Sequence, residues 1–398
     1  MANPSIRFSE FTDDYEERPL SDFLEENKER NKKKQYSKED VKSVSGDFGV
    51  VNQIEFFGKS MAGADVSNYH VVKHNDIVYT KSPLKANPYG IIKCNTGTAG
   101  IVSTLYAVYS CNNEVIPEYV DYYFGYDKRT NQYLLPLVNI GAKHDMKVNN
   151  QDAISGNVAF PSVEEQQRIV NSLVIHDKRI SNQLSLIKNL ETRRNGILQK
   201  IFSLEIRFKD DNGNNFPKWE PFAMSDLFDE RNSKAKGGEE LLSVTIANGV
   251  IRQSESDKRD NSSEDKSNYK QVMKGDMAYN TMRMWQGAVG VSYWDGIVSP
   301  AYTIITPKRD VNAEFLLLLF KTYNALKLFT IYSQGMSSDQ WNLKFEIFSD
   351  LEFDVPSPKE QAKIVALFKL LDKQIKIEKE KLEAIKLVKK GLLQQMFV

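Results

Sequence analysis

Two stretches of the chain carry the same pattern of hydrophobic and polar positions. Residues 161–203 and 356–398 align without a gap at an offset of 195 residues. Apolar residues recur in alternating steps of four and three, with a few polar interruptions, which is the heptad pattern of a coiled coil. We predict two long helices that pack through this seam, whose positions are Ile169, Leu173, Ile180, Ile187, Leu190, Ile197 and Ile201 in the first stretch and Ile364, Phe368, Leu371, Ile375, Leu382, Ile385, Leu392 and Met396 in the second.

Both stretches open with a signal for a helix start. A serine is followed three residues later by a glutamate, which is the capping-box arrangement. We expect Ser162 with Glu165, and Ser357 with Glu360, to cap the two helices. A helix of nearly forty residues would be about 55–60 Å long, which suits a spacer. The alternative for any single heptad run is general core or homodimer packing.

The whole chain is doubled, and each copy is one lobe followed by one helix. Ile6-Arg7-Phe8 returns as Ile206-Arg207-Phe208, and Ser67-Asn68-Tyr69 as Ser267-Asn268-Tyr269, both at an offset of 200. The offset becomes 196 where Gly100-Ile101-Val102-Ser103 matches Gly296-Ile297-Val298-Ser299. The fixed order and the slow drift of the offset favour duplication over chance.

Each lobe is predicted to be mixed. Runs rich in Val, Ile, Thr and Tyr predict strands, for example at 75–80, 100–109, 288–293 and 296–306, and helices are predicted at 117–124 and 312–332. We therefore expect an α+β protein, in which two mixed α/β lobes related by a pseudo-twofold axis are joined by two long antiparallel coiled-coil helices. The boundaries are residues 1–160 for the first lobe, 161–203 for its helix, 204–355 for the second lobe and 356–398 for the last helix.

Charge and composition limit the functional classes. Lys plus Arg and Asp plus Glu number 53 each, so the chain has no overall basic field for a nucleic acid. The N-terminal residues do not form a signal peptide, and the longest apolar run, residues 315–320, is too short for a bilayer, so we expect a cytoplasmic protein. Cys94 and Cys111 lack the spacing of metal ligands, and neither a disulfide nor zinc is expected.

Catalytic motifs are missing from the sequence. It contains no phosphate-binding glycine loop, no His-Glu metal motif and no serine elbow. Asn87-Pro88-Tyr89 is partly like the Asn-Pro-Pro-aromatic loop of amino-methyltransferases, but the second proline and a glycine-rich cofactor motif are absent. Binding is therefore the favoured role. Arg, Gln and Asn can contact base edges and Lys can contact phosphates, and the polar candidates on probable loops are Lys81, Lys85, Asn87, Lys143, His144, Lys147, Arg283, Trp285, Gln286, Gln340, Asn342 and Lys344.

The full pattern resembles the specificity subunit of a type I restriction-modification enzyme. The resemblance rests on the Pro-Ser-x-x-Glu-Gln-x-x-Ile-Val openings of both helices and on the Leu-Gln-x-x-Phe endings at 198–202 and 393–397. Lys274-Gly275-Asp276 and the segment 296–302 are similar to that family's target-recognition domains. The first lobe departs from this pattern at 73–76 and 103–106.

This resemblance implies a non-catalytic subunit that recognises double-stranded DNA. Each lobe would recognise one half of a bipartite, asymmetric site, and the coiled coil would set the spacing. The helices would dock two modification (methyltransferase) subunits, and through them restriction (translocase and nuclease) subunits. No cofactor is expected in this chain, because S-adenosylmethionine, ATP and Mg would belong to the partner subunits. Two alternatives stay open, a coiled-coil scaffold without DNA specificity and a DNA methyltransferase with its own recognition domain.

Overall fold

The chain folds into two compact units in a computed structural model that describes residues 3–81, 84–140, 146–256, 260, 262–308 and 311–398, without the side chains of residues 139, 140, 146 and 147. The first unit comprises Met1–Leu184 with Glu380–Val398, and the second comprises Ser185–Lys379. Two long helices, Val163–Phe202 and Pro358–Gln395, contribute residues to both units. We call them the first and second long helix.

The first unit contains two four-stranded sheets. One is antiparallel and has the order Leu24–Glu26, Tyr106–Cys111, Ile77–Thr80, Ile91–Cys94. The other has the order Gly49–Asn52, Val41–Ser45, Gly100–Val102, His70–Val72 and includes one parallel pair. Two-stranded ladders join Glu16–Pro19 to Asn157–Phe160 and Asn139–Ile140 to Met146–Lys147, and the short helices are Gln53–Phe57, Pro117–Tyr123 and Asp127–Leu134.

The second unit repeats part of this topology. Its four-stranded antiparallel sheet has the order Phe228–Glu230, Tyr302–Pro307, Met277–Asn280, Val289–Val291. Two-stranded ladders pair Glu220–Ala223 with Glu352–Val355, Leu242–Thr245 with Gly249–Arg252, and Lys270–Val272 with Gly296–Val298. Its short helices are Met224–Leu227, Ala313–Phe320, Tyr323–Tyr332 and Phe345–Phe348.

Strand register follows the two sequence offsets. Ile77 lies opposite Tyr109 in the first unit, and Met277 lies opposite Ile305 in the second. The first members of these pairs differ by 200 and the second members by 196, the same two offsets that the sequence shows on either side of its deletions. The duplicated pattern therefore corresponds to duplicated strand pairing.

The central strand of each antiparallel sheet is buried on both faces. Ile77 and Tyr79 pack into the core that contains the short helices, while Val78 packs on the other side with Val72 and Val102. Alternate residues point to opposite faces of a strand, so a run of apolar residues buries both faces.

Two predicted elements are divided in the structure. The predicted strands 100–109 and 296–306 are each interrupted by a turn, since Tyr106 and Tyr302 donate their N–H groups to Ser103 and Ser299. The predicted helix 312–332 breaks at Thr322, whose hydroxyl accepts from the N–H of Ala325 and starts a new helix. Side chains that cap the backbone locally outweigh the helical pattern at this point.

Neither predicted capping box forms completely. Ser162 does accept from the N–H of Glu165, at 3.4 Å, but the Glu165 carboxylate accepts two hydrogen bonds from Arg7, at 2.9 and 2.8 Å, and one from Tyr15. Glu360 likewise binds Arg207, at 3.2 and 2.6 Å, and the Ser357 hydroxyl is buried with no partner among the described residues. A bidentate guanidinium binds a buried carboxylate more strongly than one backbone N–H does.

The glutamine after each glutamate joins a long helix to its lobe. The side-chain oxygen of Gln166 accepts from the N–H of Ile116, and its amide donates to the carbonyl of Pro161. Gln361 accepts from Asn312 and donates to Pro356 in the same way. Both glutamines are buried, and each fixes a long helix to the start of a short one.

The seam is an internal surface of this chain. All of its positions are buried or half-buried. In the second unit the long helices run in opposite directions, because Glu191 pairs with Lys379 at 2.7 Å while Arg194, further along, pairs with Asp372 at 2.8 Å. Within the described part of the chain no single helix could cross a membrane, although the bent pair Ala313–Phe320 and Tyr323–Tyr332 passes on length and composition together.

Candidate nucleic-acid interface

One candidate loop joins two strands of the four-stranded sheet in the second unit. The strand-linking loop, residues 281–287, follows Met277–Asn280 and contains a turn of 3₁₀ helix at Met284–Gln286. Met284 is fully buried and anchors the loop, while the neighbouring Arg283, Trp285 and Gln286 are half-buried. The loop ends at Gly287, whose φ of 80° lies in the left-handed region that favours glycine.

The second candidate loop is a hairpin at residues 333–344. Gln334 and Asn342 exchange both backbone hydrogen bonds, at 3.0 and 2.8 Å, and close its neck. Gly335 has a φ of 145°, and a Cβ there would come within 2.6 Å of the carbonyl oxygen of Gln340, so only glycine fits. Residues 334–340 are exposed, and Met336 near the tip has 97% of its surface accessible.

The structure brings the two loops together. The N–H of Leu343 donates to the carbonyl of Thr281 at 2.9 Å, and the fully buried Leu343 side chain anchors the hairpin. The rings of Trp285 and Trp341 meet edge to face at 5.1 Å, and the Trp285 indole donates to the carbonyl of Met282. The two loops therefore form one surface, which we call the recognition surface.

The recognition surface offers the chemistry of base contact. Arg283 and Gln286 from one loop and Gln340 from the other supply donors and acceptors at half-buried or exposed positions. Lys344 is exposed and can contact phosphate. Asn342 differs, because its backbone closes the hairpin and its side-chain oxygen is buried without a hydrogen-bond partner among the described residues.

In the corresponding loop of the first unit, residues 84–90 are held in another way. Asn87 is buried and donates to the carboxylate of Asp127 at 2.9 Å, and the Tyr79 hydroxyl donates to the carbonyl of Tyr89 at 2.6 Å. Asn87 thus supports the loop from inside. Lys85 is exposed, whereas Lys81 is half-buried and burial lowers the pKa of its amine.

The remaining candidates of the first unit are only partly described. Lys143 and His144 lie outside the described residues. Lys147 belongs to the strand Met146–Lys147, whose backbone alone is described. Of the twelve candidates, the structure joins the six of the second unit on one surface, and in the first unit it describes the side chains of Lys81, Lys85 and Asn87.

Sequence reasoning missed a row of exposed apolar residues on the long helices. On the second long helix, Leu370, Ile377 and Val388 are 67%, 40% and 53% accessible. Their spacings of seven and eleven residues place them within about 20° of one face at 100° per residue. Ile175 and Leu186, eleven residues apart on the first long helix, are also exposed. We call these five residues the outer row. The sequence signal that could have indicated it is the presence of apolar residues at helix positions outside the seam.

The predicted docking residues of the seam and the residues of the outer row differ in accessibility. Seam residues were the expected partner contacts, but they are already covered within this chain. The seam positions are buried or half-buried, whereas the residues of the outer row are exposed. Among the described residues, no group of three His, Cys, Asp or Glu side chains could hold a metal ion.

Comparison with known proteins matches one part of the chain to a family model. Residues 217–387 match the family model of the type I restriction modification DNA specificity domain. No curated protein matches the sequence significantly. The fold consists of two mixed α/β units built on long helices. Two solved structures described below have the same fold.

The first solved structure belongs to a type I R-M system whose complex assembly and conformational transition were studied. It is 15% identical, with a TM-score of 0.58 over 96% of this chain and 97% of that one. The second is the S subunit of a type I restriction-modification system from M. genitalium, also 15% identical, with a TM-score of 0.54 over 100% of this chain and 99% of that one. Residues 217–387 thus match the type I restriction modification DNA specificity domain, and the whole chain shares the fold of these two structures.

Proposed function

We propose that each unit recognises one half of a bipartite DNA site. The observation that carries this proposal is the position of the candidate loops. In both units a loop leaves the equivalent central strand, Ile77–Thr80 or Met277–Asn280, yet the loops differ in residues and in the contacts that hold them. One scaffold with two different loops suits the recognition of two different half-sites.

In the second unit the recognition surface would enter the major groove. Arg283 and Gln340 would contact base edges, and Lys344 would contact a phosphate. The edge-to-face Trp285 and Trp341 would keep both loops in one orientation. In the first unit Lys81, Lys85, Lys143, His144 and Lys147 would contribute, with Asn87 as internal support.

The long helices would set the distance between the half-sites. The first has 40 residues and the second 38, so each extends about 57–60 Å at 1.5 Å per residue. This length exceeds one turn of DNA, about 34 Å. If the two units lie at opposite ends of the helix pair, related by a pseudo-twofold axis, the half-sites would be separated by a fixed gap.

The outer row would dock two modification subunits. Exposed leucine, isoleucine and valine on one helix face are the residues that a partner helix buries. These subunits would bring S-adenosylmethionine, and restriction subunits would bind through them with ATP and Mg. Partner subunits would also share the contact with the phosphates, which fits a chain of zero formal net charge.

An exchange of lobes tests this proposal. Residues 1–158 are replaced by the first lobe of another family member, and the chain is co-expressed with its modification subunit. Methylated positions across the host genome are then mapped. The proposal expects one half of the methylated motif to change while the other half and the gap stay the same. A motif that changes in both halves, or in neither, would refute the division of labour between lobes.

A further inference from the structure

A half-buried lysine contacts the strand-linking loop of the recognition surface. Lys321 follows the helix Ala313–Phe320, and its ammonium group donates to the carbonyl oxygen of Gly287 and, at 3.0 Å, to that of Ile246. No described carboxylate forms an ion pair with it. A partly buried charge that lacks a counter-ion is costly, so its two carbonyl contacts need a reason.

The two carbonyls belong to elements that are otherwise separate. Gly287 ends the strand-linking loop, and its own N–H donates to Met284 at 2.8 Å. Ile246 lies in the turn between Leu242–Thr245 and Gly249–Arg252. One ammonium group therefore fixes the end of the loop that carries Trp285 and Gln286 to a helix and to a hairpin.

The charged groups around Lys321 are already paired. It lines a surface cavity of about 310 Å³ together with Arg194, Tyr293, Glu314, Lys369 and Asp372. Arg194 on the first long helix binds Asp372 on the second, at 2.8 Å. Lys369, also on the second long helix, pairs with Glu314, which accepts from the Tyr293 hydroxyl as well. Neither carboxylate is left for the lysine.

This environment has an electrostatic consequence. Burial, followed by the nearby positive charge of Arg194, lowers the pKa of Lys321 to about 8. The ammonium group therefore gives up its proton in a range where ordinary lysines remain charged.

The first unit has no equivalent lysine. Gly125 donates its N–H to Tyr122 just after the helix Pro117–Tyr123, as Lys321 donates to Leu318. The two positions differ by 196, the offset of this part of the repeat. In the first unit the corresponding loop is instead held by Asn87 with Asp127 and by Asn131, which donates to the carbonyl of Ala86.

We propose that Lys321 is a positioning residue for DNA specificity, which holds the strand-linking loop in the orientation required to recognise the second half-site. The proposal rests on the proposed function of this surface. Lys321 touches no base itself and acts through Gly287 on the residues that do.

The test measures discrimination by the full chain assembled with its modification subunits. Methylation rates are compared on DNA with both half-sites intact, with the first altered, and with the second altered. Lys321→Met removes the ammonium group and keeps the length of the side chain. We expect it to reduce discrimination at the second half-site about tenfold and to leave discrimination at the first half-site unchanged. The matched control is Lys218→Met, which removes one exposed positive charge from the same unit.

A pH profile separates positioning from general stabilisation. Discrimination by the natural chain should fall at the second half-site as pH rises through about 8, because a neutral amine donates weaker hydrogen bonds than an ammonium group. The free energy of unfolding should instead rise with pH between about 8 and 10.5. In that range the lysine binds more protons in the unfolded chain than in the folded one. Lys321→Arg stays charged and should retain discrimination without the pH step.

Three outcomes distinguish the claims. Unchanged discrimination in Lys321→Met would refute the positioning role. Equal loss at both half-sites, in parallel with lower stability, would show a structural role only and would also overturn it. If the natural chain itself shows no half-site discrimination, the proposed function fails before the lysine is tested.

Discussion

The backbone N–H of Ile6 donates to the carbonyl oxygen of Gln395 at 2.9 Å, so that the start of the chain is bonded to the end of the second long helix within the first unit. The second unit contains the same bond between neighbours in sequence, from Ile206 to Lys200 at 3.1 Å. The residues correspond at offsets of 200 and 195. The last residues of the chain thus belong structurally to its first lobe.

This arrangement predicts a distant effect of Phe397. Its buried ring packs against Tyr119 at 5.1 Å and lies under the guanidinium of Arg129. Phe397→Ala should lower the stability of the first unit by about 3–5 kcal/mol, as large aromatic truncations in cores do.

Phe202, 195 residues earlier, provides the matched variant. It packs against Trp219 and Phe315 in the second unit. Phe202→Ala should destabilise the second unit instead, by less because it is only half-buried. Hydrogen exchange resolved by unit makes the comparison, and early opening of the second unit in Phe397→Ala would contradict the assignment.

Acid should weaken the first unit through His70. This residue is 2% accessible, and burial, with help from Arg30, lowers the pKa of its imidazole to about 4 from 6.5. The unfolded chain then binds more protons between those values, so the stability of the first unit should fall as pH falls from 6.5 to 4. The loss should approach about 3 kcal/mol.

Two variants check the histidine prediction by denaturant unfolding at several pH values. His70→Leu should remove this part of the pH slope. His74→Gln, which changes an exposed histidine in the same unit, should leave the slope intact. A slope that persists in His70→Leu would assign the acid sensitivity to other groups.

Charges in the outer row should block assembly. Leu370→Lys with Val388→Lys would bury two unpaired charges if a modification subunit docks there, and complex formation should fall at least a hundredfold. Light scattering of the mixed subunits measures this. Gln394→Lys adds charge at an exposed site about 120° away around the same helix and should assemble normally. Normal assembly of the double variant would remove the outer row from the interface.

Single truncations on the recognition surface should affect one half-site. Arg283→Ala or Gln340→Ala should weaken recognition of the second half-site by about 1–3 kcal/mol if a bidentate base contact is lost. Competition binding with DNA altered in either half provides the measurement. Equal weakening on every sequence would mean that these side chains contact phosphates.

Sequence periodicity predicted the long helices and the duplicated strands well, because both depend on local repeats of apolar residues. It could not predict the partners of Glu165, since a capping box and a buried ion pair with Arg7 require the same residue type. The outer row was not anticipated, because apolar residues alone do not show which face of a helix the chain covers itself. Lys321 gave no signal, as its role depends on carbonyl groups that only the fold brings together.

The most direct test is a map of methylated adenines in a host that expresses this chain with a type I modification subunit from the same source. The account predicts one bipartite motif, in which two specific half-sites flank a gap of fixed length and unspecified sequence. A continuous motif, a variable gap, or a stable complex that methylates no specific sequence would contradict the claim that two lobes on a helical spacer each recognise half of the site.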